Sequence, residues 1–564
     1  MAKLKSELTT DFSRGMLDDL AATRYPSNVA REIINGRIQP DGTVRRRPGS
    51  ERLHAAALVT DGIGYGGIEF ITAAGQKQIV VFINDEAHYS TDGGANWTQI
   101  DTGLREDYYS LAIMRVGAVN YLYAANGDTT VKRWDGTTWD TNPNAPSGVK
   151  FLAVFHGRLW YAGHSGVEVK GSQIANPAVV ATPYGTTVQI NTHDGSDVPT
   201  GLYQLGAHLL VFDANSTSYI DGYGEQTLLL AQGAEGFSRS VGCIAFRTIV
   251  GVGENAICWL SKRGIEYYAT GSGIRLLTSP GLQTFFETLN RPAIEETPGL
   301  ASACYDAVTQ EYHVALSTTG VRNDRIVVIN LLQRGRDWLG AHEVDEPQAT
   351  TAPPDEILFD DAAADAEGYL QEDAVSGVRL DVDEDGYAEF GADASDGLPT
   401  EEDAEGYLSS AITEEVGASL FIAEDDERGS AVHSVGYDGF VRKHQGWGDN
   451  DDVTSTGTGG VVVEMQVVTR PFLQGSVRHR KRTRVIHIAS IQDNASEVTV
   501  SVRANGAGFP TQTLAMPATT FDQPKRKKAM VKADGDEPQV VLTTEDDVRV
   551  AVLGVSAELL REPV

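Results

Sequence analysis

The densest set of ligating side chains in the sequence is Asp381-Val382-Asp383-Glu384-Asp385-Gly386-Tyr387-Ala388-Glu389. Asp381, Asp383, Asp385 and Glu389 stand at positions one, three, five and nine, with glycine at six to turn the chain. That spacing wraps oxygen ligands around one hard cation, calcium being the expected one. Ala392 occupies the place where an EF-hand carries its bidentate Glu, so the loop departs from that motif. The competing reading is an acidic turn without metal, because concentrated negative charge attracts cations without building a site. A second pattern, Gly62-x-Gly64-x-x-Gly67, has the spacing of a dinucleotide-binding loop. Strand-like Ile68-Glu69-Phe70-Ile71 follows it where that chemistry needs a helix, and the reading is rejected. A third, Ser90-x-Asp92-x-Gly94-x-x-Trp97, places Ser and Asp where they can satisfy the amides of a turn while Trp packs. Three basic runs, Arg45-Arg46-Arg47, Arg478 to Arg484 and Lys525 to Lys528, have no interleaved aromatics for stacking bases, and the last two read as strand-edge charge or contacts to an acidic neighbour.

The elements that must position these groups are short strands. Among 564 residues, helical signals are confined to a segment after Ser27 containing Val29, Ile33 and Ile34, and to Leu282–Leu289. Strand candidates recur at 78–83, 121–124, 158–161, 208–212, 257–260, 312–316 and 325–329, with glycine, Asn or Asp near most of them. Trp97 and Trp139 each close a glycine-bearing turn and lie 42 residues apart, and Leu331–Trp338 repeats the arrangement. This matches the period of a four-stranded propeller blade. The fold class is therefore all-β: a β-propeller of about six four-stranded blades, an acidic inserted segment and a C-terminal β-sandwich-like domain. Residues 1–55 form an N-terminal arm and first strands, 56–345 the blades, 346–450 the acidic insertion and closing blade hairpins, and 451–564 the sandwich, whose strands alternate.

Composition narrows the functional classes. The net charge is −32, and the stretch from Asp355 to Arg428 alone carries 25 Asp or Glu against two Arg, a net of −23. The rest of the chain is near neutral, which argues against a protein that coats nucleic acid. Three cysteines cannot build a disulfide framework, so folding in a reducing compartment is expected. The N-terminus lacks the apolar core of a secretory signal, and no long apolar run predicts a membrane span.

Three stretches in order carry a family resemblance. The first comprises Asp11-Phe12-Ser13-Arg14-Gly15-Met16, Arg24-Tyr25-Pro26, Ile34-Asn35-Gly36-Arg37-Ile38 and Asp41-Gly42-Thr43-Val44-Arg45-Arg46-Arg47-Pro48-Gly49. It resembles the opening of structural proteins of phage tails, with Arg14 where such proteins often carry Gly. Gly242-Cys243-Ile244 followed by Trp259-Leu260-Ser261-Lys262-Arg263-Gly264-Ile265-Glu266-Tyr267 resembles their mid-propeller blade. Gly436-Tyr437-Asp438-Gly439-Phe440-Val441, then Val468-Thr469-Arg470-Pro471-Phe472 and Lys481-Arg482, resembles their passage into the C-terminal sandwich. By architecture the chain is similar to the tail nozzle of short-tailed phages. The resemblance implies a nonenzymatic virion protein of the tail, made in the host cytoplasm. It would form a homohexameric ring joined to a portal or adaptor ring, with tail fibres as further partners. Double-stranded DNA would pass along its axis without sequence-specific binding, and no cofactor beyond the candidate calcium is expected. The acidic segment is the departure, and an acidic lumen that repels phosphate is the role it suggests. The runner-up is a peripheral receptor-binding or fibre-docking propeller. A third reading, a sialidase-like glycan hydrolase, rests on Ser90–Trp97, whose pattern matches the Asp-box, a structural turn remote from the chemistry in sialidases.

Overall fold

The structure is a computed structural model that describes residues 4–331 and 410–559 with short interruptions, and between them Leu380–Val382 and Ala388–Phe390. The chain divides into two compact units, 1–331 together with 407–564, and 332–406.

In the first unit, consecutive antiparallel strands build seven blades around a common axis, which makes the fold a β-propeller. Blade I comprises Gly64–Ile71, Lys77–Ile83, Glu86–Ser90 and Thr98–Asp101. Blades II to V follow in the same order over 110–141, 151–189, 201–232 and 250–276. Blade VI takes Ser302–Asp306, Glu311–Leu316 and Arg325–Asn330, and its fourth strand, Ser410–Thr413, lies about 80 residues further along the chain, within the acidic stretch. Blade VII takes Ser419–Ala423, Ala431–Val435 and Val441–His444 and is completed by Ser50–Arg52 from the N-terminus. The count thus exceeds the expected six by one, because the seventh sheet exists only when 419–444 and a three-residue strand nearly 400 residues away are combined.

Burial along each blade follows its place in the stack. Neighbouring blades cover both faces of the second strand, so these strands lose the alternation of a half-exposed sheet. Lys77–Ile83 is buried at six of seven positions and Ala256–Leu260 at all five. The outer strand Thr98–Asp101 has no buried residue. The core is a set of wedges between blades: Phe70, Val80 and Phe82 meet Tyr109, Leu122 and Trp134 between I and II. Ile79, Val81 and Ile83 meet Phe421, Val435 and Val441 between VII and I, which closes the ring. Removing a side chain of this size from water contributes about 2–3 kcal/mol.

The C-terminal strands form a two-sheet sandwich whose core includes Met465, Val467, Ile486, Ile488, Val498, Val500, Ala529 and Leu542. The N-terminal segment enters both sheets. Ala30–Ile34 pairs with Met465–Thr469 in one, while Gly36–Ile38 and Val44–Arg46 form a hairpin that pairs with Arg549–Leu559 in the other. Ile34 also pairs in parallel with Ile412, so the sheet of blade VI runs on into the sandwich. The helix expected after Ser27 is instead this strand. A register shift between Ala30 and Glu32 marks a bulge, which brings Ala30 and Ile33 to one buried face at a spacing that imitates a helical turn. The helix expected near 282–289 is present as Gln283–Glu287.

In the second unit the described residues are a strand pair, Leu380–Val382 with Ala388–Phe390.

Candidate functional site

The innermost strands of all seven blades line a central channel with a volume of about 580 Å³. Its wall mixes apolar side chains, Ile68, Ile113, Val154 and Ile422, with polar groups that include Gln204, Tyr203 and Tyr305. Innermost strands begin on one face of the propeller, here called proximal, and end on the distal face. Near the proximal end, the turn Phe246–Thr248 carries Arg247 into the gap between blades. Arg247 Nη1 donates to the carbonyls of Gly299 (2.9 Å) and Ala418 (3.2 Å), and Nη2 donates to Ser419 Oγ. Its guanidinium lies 4.9 Å from the Tyr108 ring centre. One side chain therefore ties the turn before blade V to the starts of blades VI and VII and to the loop before blade II. Burial lowers its pKa to about 10 against the opposing influence of Tyr108 and Tyr437. Its hydrogen-bond partners among the described residues are carbonyls and a hydroxyl, so the positive charge is solvated by dipoles instead of being neutralised. Sequence reading did not single out Arg247; the signal available was one charged residue in the run from Val241 to Val252, where Thr248 is the other polar residue.

The residues that carry the family resemblance sit at structural junctions. Asn35, left-handed at φ 53°, donates through Nδ2 to Glu464 O at 3.0 Å and accepts from Arg47 Nε at 3.0 Å. Arg46 reaches the carbonyls of Glu545 (2.7 Å) and Val463 (3.3 Å) and so staples the N-terminal hairpin to the sandwich, while buried Arg47 holds Asn35 and the Pro48 carbonyl within the N-terminal segment. Arg37 Nε lies 3.6 Å from Glu311 Oε2, which joins the hairpin to blade VI. In blade V, fully buried Glu266 accepts from Ser261 Oγ (2.7 Å) and from Arg263 Nε and Nη2 (3.0 and 3.1 Å), forming a clasp across one turn. Trp259 Nε1 donates to Gly242 O at 3.0 Å. At the ring closure, Gly439 donates to Gly62 O at 2.8 Å and accepts from Leu58 at 3.0 Å, and Val441 donates to His54 Nε2 at 3.1 Å. His54 is buried and stacked on Phe440, and burial lowers its pKa, with Arg442 and Arg52 adding to the effect while the Ala56 carbonyl and Asp438 oppose it.

The turn Ser90–Trp97 adopts the geometry its residues predict. Ser90 Oγ donates to Asp92 Oδ1 (2.8 Å) and accepts from Gly94 N (2.9 Å); Asp92 Oδ1 accepts from Asn96 N (2.9 Å); Trp97 Nε1 donates to Gly94 O (2.7 Å). As a turn between third and fourth strands it lies on the distal face, away from Arg247. The corresponding turn of blade II is held by Asp135, which accepts from the amides of Thr137 and Thr138. Of the third expected hairpin, Leu331–Trp338, only Leu331 falls among the described residues. Gly64 and Gly67 belong to a strand of blade I, in keeping with the rejected nucleotide loop.

Of the calcium candidates, Asp381 and Glu389 are directly opposed in the strand pair, so the backbone brings the first and last of the four to one level. Asp383 and Asp385 lie outside the described residues. Among the described residues no group of three or more His, Cys, Asp or Glu is placed to hold a metal. Lys525–Lys528 falls on an edge strand, as expected for strand-edge charge, whereas Lys481–Arg484 opens a strand paired on both sides. No helix among the described residues is long and apolar enough to cross a membrane.

No known family profile and no curated protein matches the chain. Solved structures that match include the crystal structure of the mitotic checkpoint complex, at 12% identity and a TM-score of 0.32, covering 47% of this chain and 76% of that one. Another is YCF48 from Cyanidioschyzon merolae, at 9% identity and a TM-score of 0.30, covering 48% of this chain and 96% of that one.

Proposed function

We propose that this chain is a nonenzymatic structural protein of a phage tail, a subunit of the ring through which the genome is retained and ejected. The observation that carries the reading is the placement of its resemblance-bearing residues. Asn35, Arg46 and Arg47, the Ser261–Arg263–Glu266 clasp, and Gly439 with Val441 each fasten one element to another. These residues tie the N-terminal hairpin to the sandwich (Asn35, Arg46), brace a turn of blade V and close the propeller ring, while Arg37 links the hairpin to blade VI, a distribution that suits a subunit under mechanical load. A ring needs a heterologous interface that closes, and the flanks of the propeller and the sandwich supply two different surfaces for it. Residues 355–409, with 19 Asp or Glu against one Arg, carry a net of −18 and are inserted before the last strand of blade VI; such a segment would repel DNA phosphates and keep passage free of adhesion. Portal or adaptor proteins and tail fibres would be its neighbours in the virion.

Native mass measurement combined with single-particle imaging tests this. A closed ring, six subunits being the expected number, supports it, and its axial position in particles separates a nozzle from a peripheral receptor-binding propeller. A chain that stays monomeric at micromolar concentration and is absent from the axis of virions overturns it.

A further inference from the structure

On the proximal face a second cavity of about 410 Å³ opens beside the loops that lead into blades II, III, IV and VI. Part of its lining is the edge-to-face pair Phe151 and Phe246, 5.2 Å between ring centres, and exposed Val198 stands at its rim. His164 also lines it. The His164 side chain is only 4% exposed and both ring nitrogens are closed to solvent, yet neither Nδ1 nor Nε2 has a hydrogen-bond partner among the described residues. The carboxylate of Glu168 approaches Nε2 no closer than 3.9 Å and is held at 3.1 Å by Lys170. Buried polar groups are nearly always paired, so an imidazole with both nitrogens unspent at the wall of a cavity marks a place for a ligand.

The other charges around the cavity indicate what kind of ligand. Lys150 lines it and has no carboxylate partner among the described residues. Asp107 is already engaged, with Oδ1 accepting from Tyr108 N at 2.8 Å and Oδ2 facing Arg105 Nη2 at 3.3 Å. Glu296 stands exposed at the margin, at the end of the helix Arg291–Glu296. The unspent capacity is therefore rich in donors, an ammonium and an imidazole, beside an apolar surface. Burial holds the His164 pKa below the ordinary imidazole value, Lys170 adds to this and Glu168 opposes it. An anion bound next to the ring would reverse that balance and recruit a proton.

We propose that this cavity binds a small organic carboxylate. The apolar part of the ligand packs on Phe151 and Phe246, its oxygens accept from Lys150 Nζ, and a rotation of the His164 ring, whose nitrogens are now turned away from the opening, presents a protonated N–H to them. The site is independent of ring assembly, so either proposal can fail without the other.

The test uses the full chain with labelled histidine, following the His164 ring by NMR across pH. One arm titrates benzoate, a flat aromatic acid, and a second arm glucuronate, an acidic sugar; benzyl alcohol and glucose are the neutral counterparts. The expected result is saturable binding of at least one acid with an upward shift of the His164 titration. Lys150→Met should weaken that binding at least about tenfold, as loss of a charge-assisted hydrogen bond does. His164→Gln should abolish its pH dependence while the thermal unfolding curve stays that of a folded protein. Preference for benzoate or for glucuronate identifies the class of acid. Absence of saturable binding by both acids, equal binding of the neutral counterparts, or binding indifferent to both substitutions overturns the proposal.

Discussion

Replacing Gly439 by Ala attacks the closure of the propeller at one defined point. Gly439 has φ +76°, a left-handed conformation that costs an L side chain about 1 kcal/mol. A Cβ there would meet the carbonyl oxygen of Val59 at 1.9 Å, so the segment 58–62 must move away. That movement breaks the bonds Gly439 N to Gly62 O (2.8 Å) and Leu58 N to Gly439 O (3.0 Å), at about 1 kcal/mol each. The sum is about 3 kcal/mol, or roughly a hundredfold in the opening equilibrium of the closure. Native-state amide exchange reads it directly: amides of 58–64 and 436–441 should exchange about a hundredfold faster in Gly439→Ala. Gly75 supplies the control, because its φ of +82° is equally left-handed but a Cβ there meets nothing within 4 Å. Gly75→Ala should cost about 1 kcal/mol, confined to the turn between the first two strands of blade I. Equal effects from the two substitutions would refute the reasoning, since only backbone strain would then be at work.

The imidazole of His54 accepts a hydrogen bond from Val441 and must be neutral to do so. Its folded pKa lies below the ordinary value, so the unfolded chain takes up the proton first as pH falls; stability is full above about pH 6.5 and declines below it, visible as a lower urea midpoint at pH 5.5 than at 7.5, with a shallower slope in His54→Gln. Arg46→Met leaves the carbonyls of Val463 and Glu545 without their charged donor and should cost about 3 kcal/mol in denaturant unfolding, with the N-terminal hairpin losing exchange protection first. Ser90→Ala leaves the buried Gly94 amide without its Oγ acceptor and should cost about 1 kcal/mol, measured as a shifted denaturation midpoint. Calorimetric titration of the parent with calcium should show a binding event that is lost in Asp383→Ala and Asp385→Ala; a parent protein that gives no heat of binding ends the calcium reading.

The sequence by itself determined the all-β class and revealed the second strand in six of the seven blades. Segments such as 78–83, 158–161, 208–212 and 257–260 are legible because neighbouring blades bury both of their faces, which demands consecutive apolar residues after the polar one that opens three of them. The corresponding strand of blade VII, Ala431-Val432-His433-Ser434-Val435, is just as buried, but His433 and Ser434 interrupt the run, and it went unread. Outer strands such as Thr98–Asp101 face solvent and carry no such signature. Of the candidate sites, the Ser90–Trp97 turn was legible because all its hydrogen bonds are local. His164 and Arg247 were not, because each matters through groups brought to it from other blades. Only the tertiary structure decided that Ser50–Arg52 completes the last blade, that Ser410–Thr413 returns to blade VI, and that Ala30–Ile34 joins the sandwich. Strand pairing is a contact between distant segments, and three to five residues cannot announce in their own composition which backbone edge will receive them.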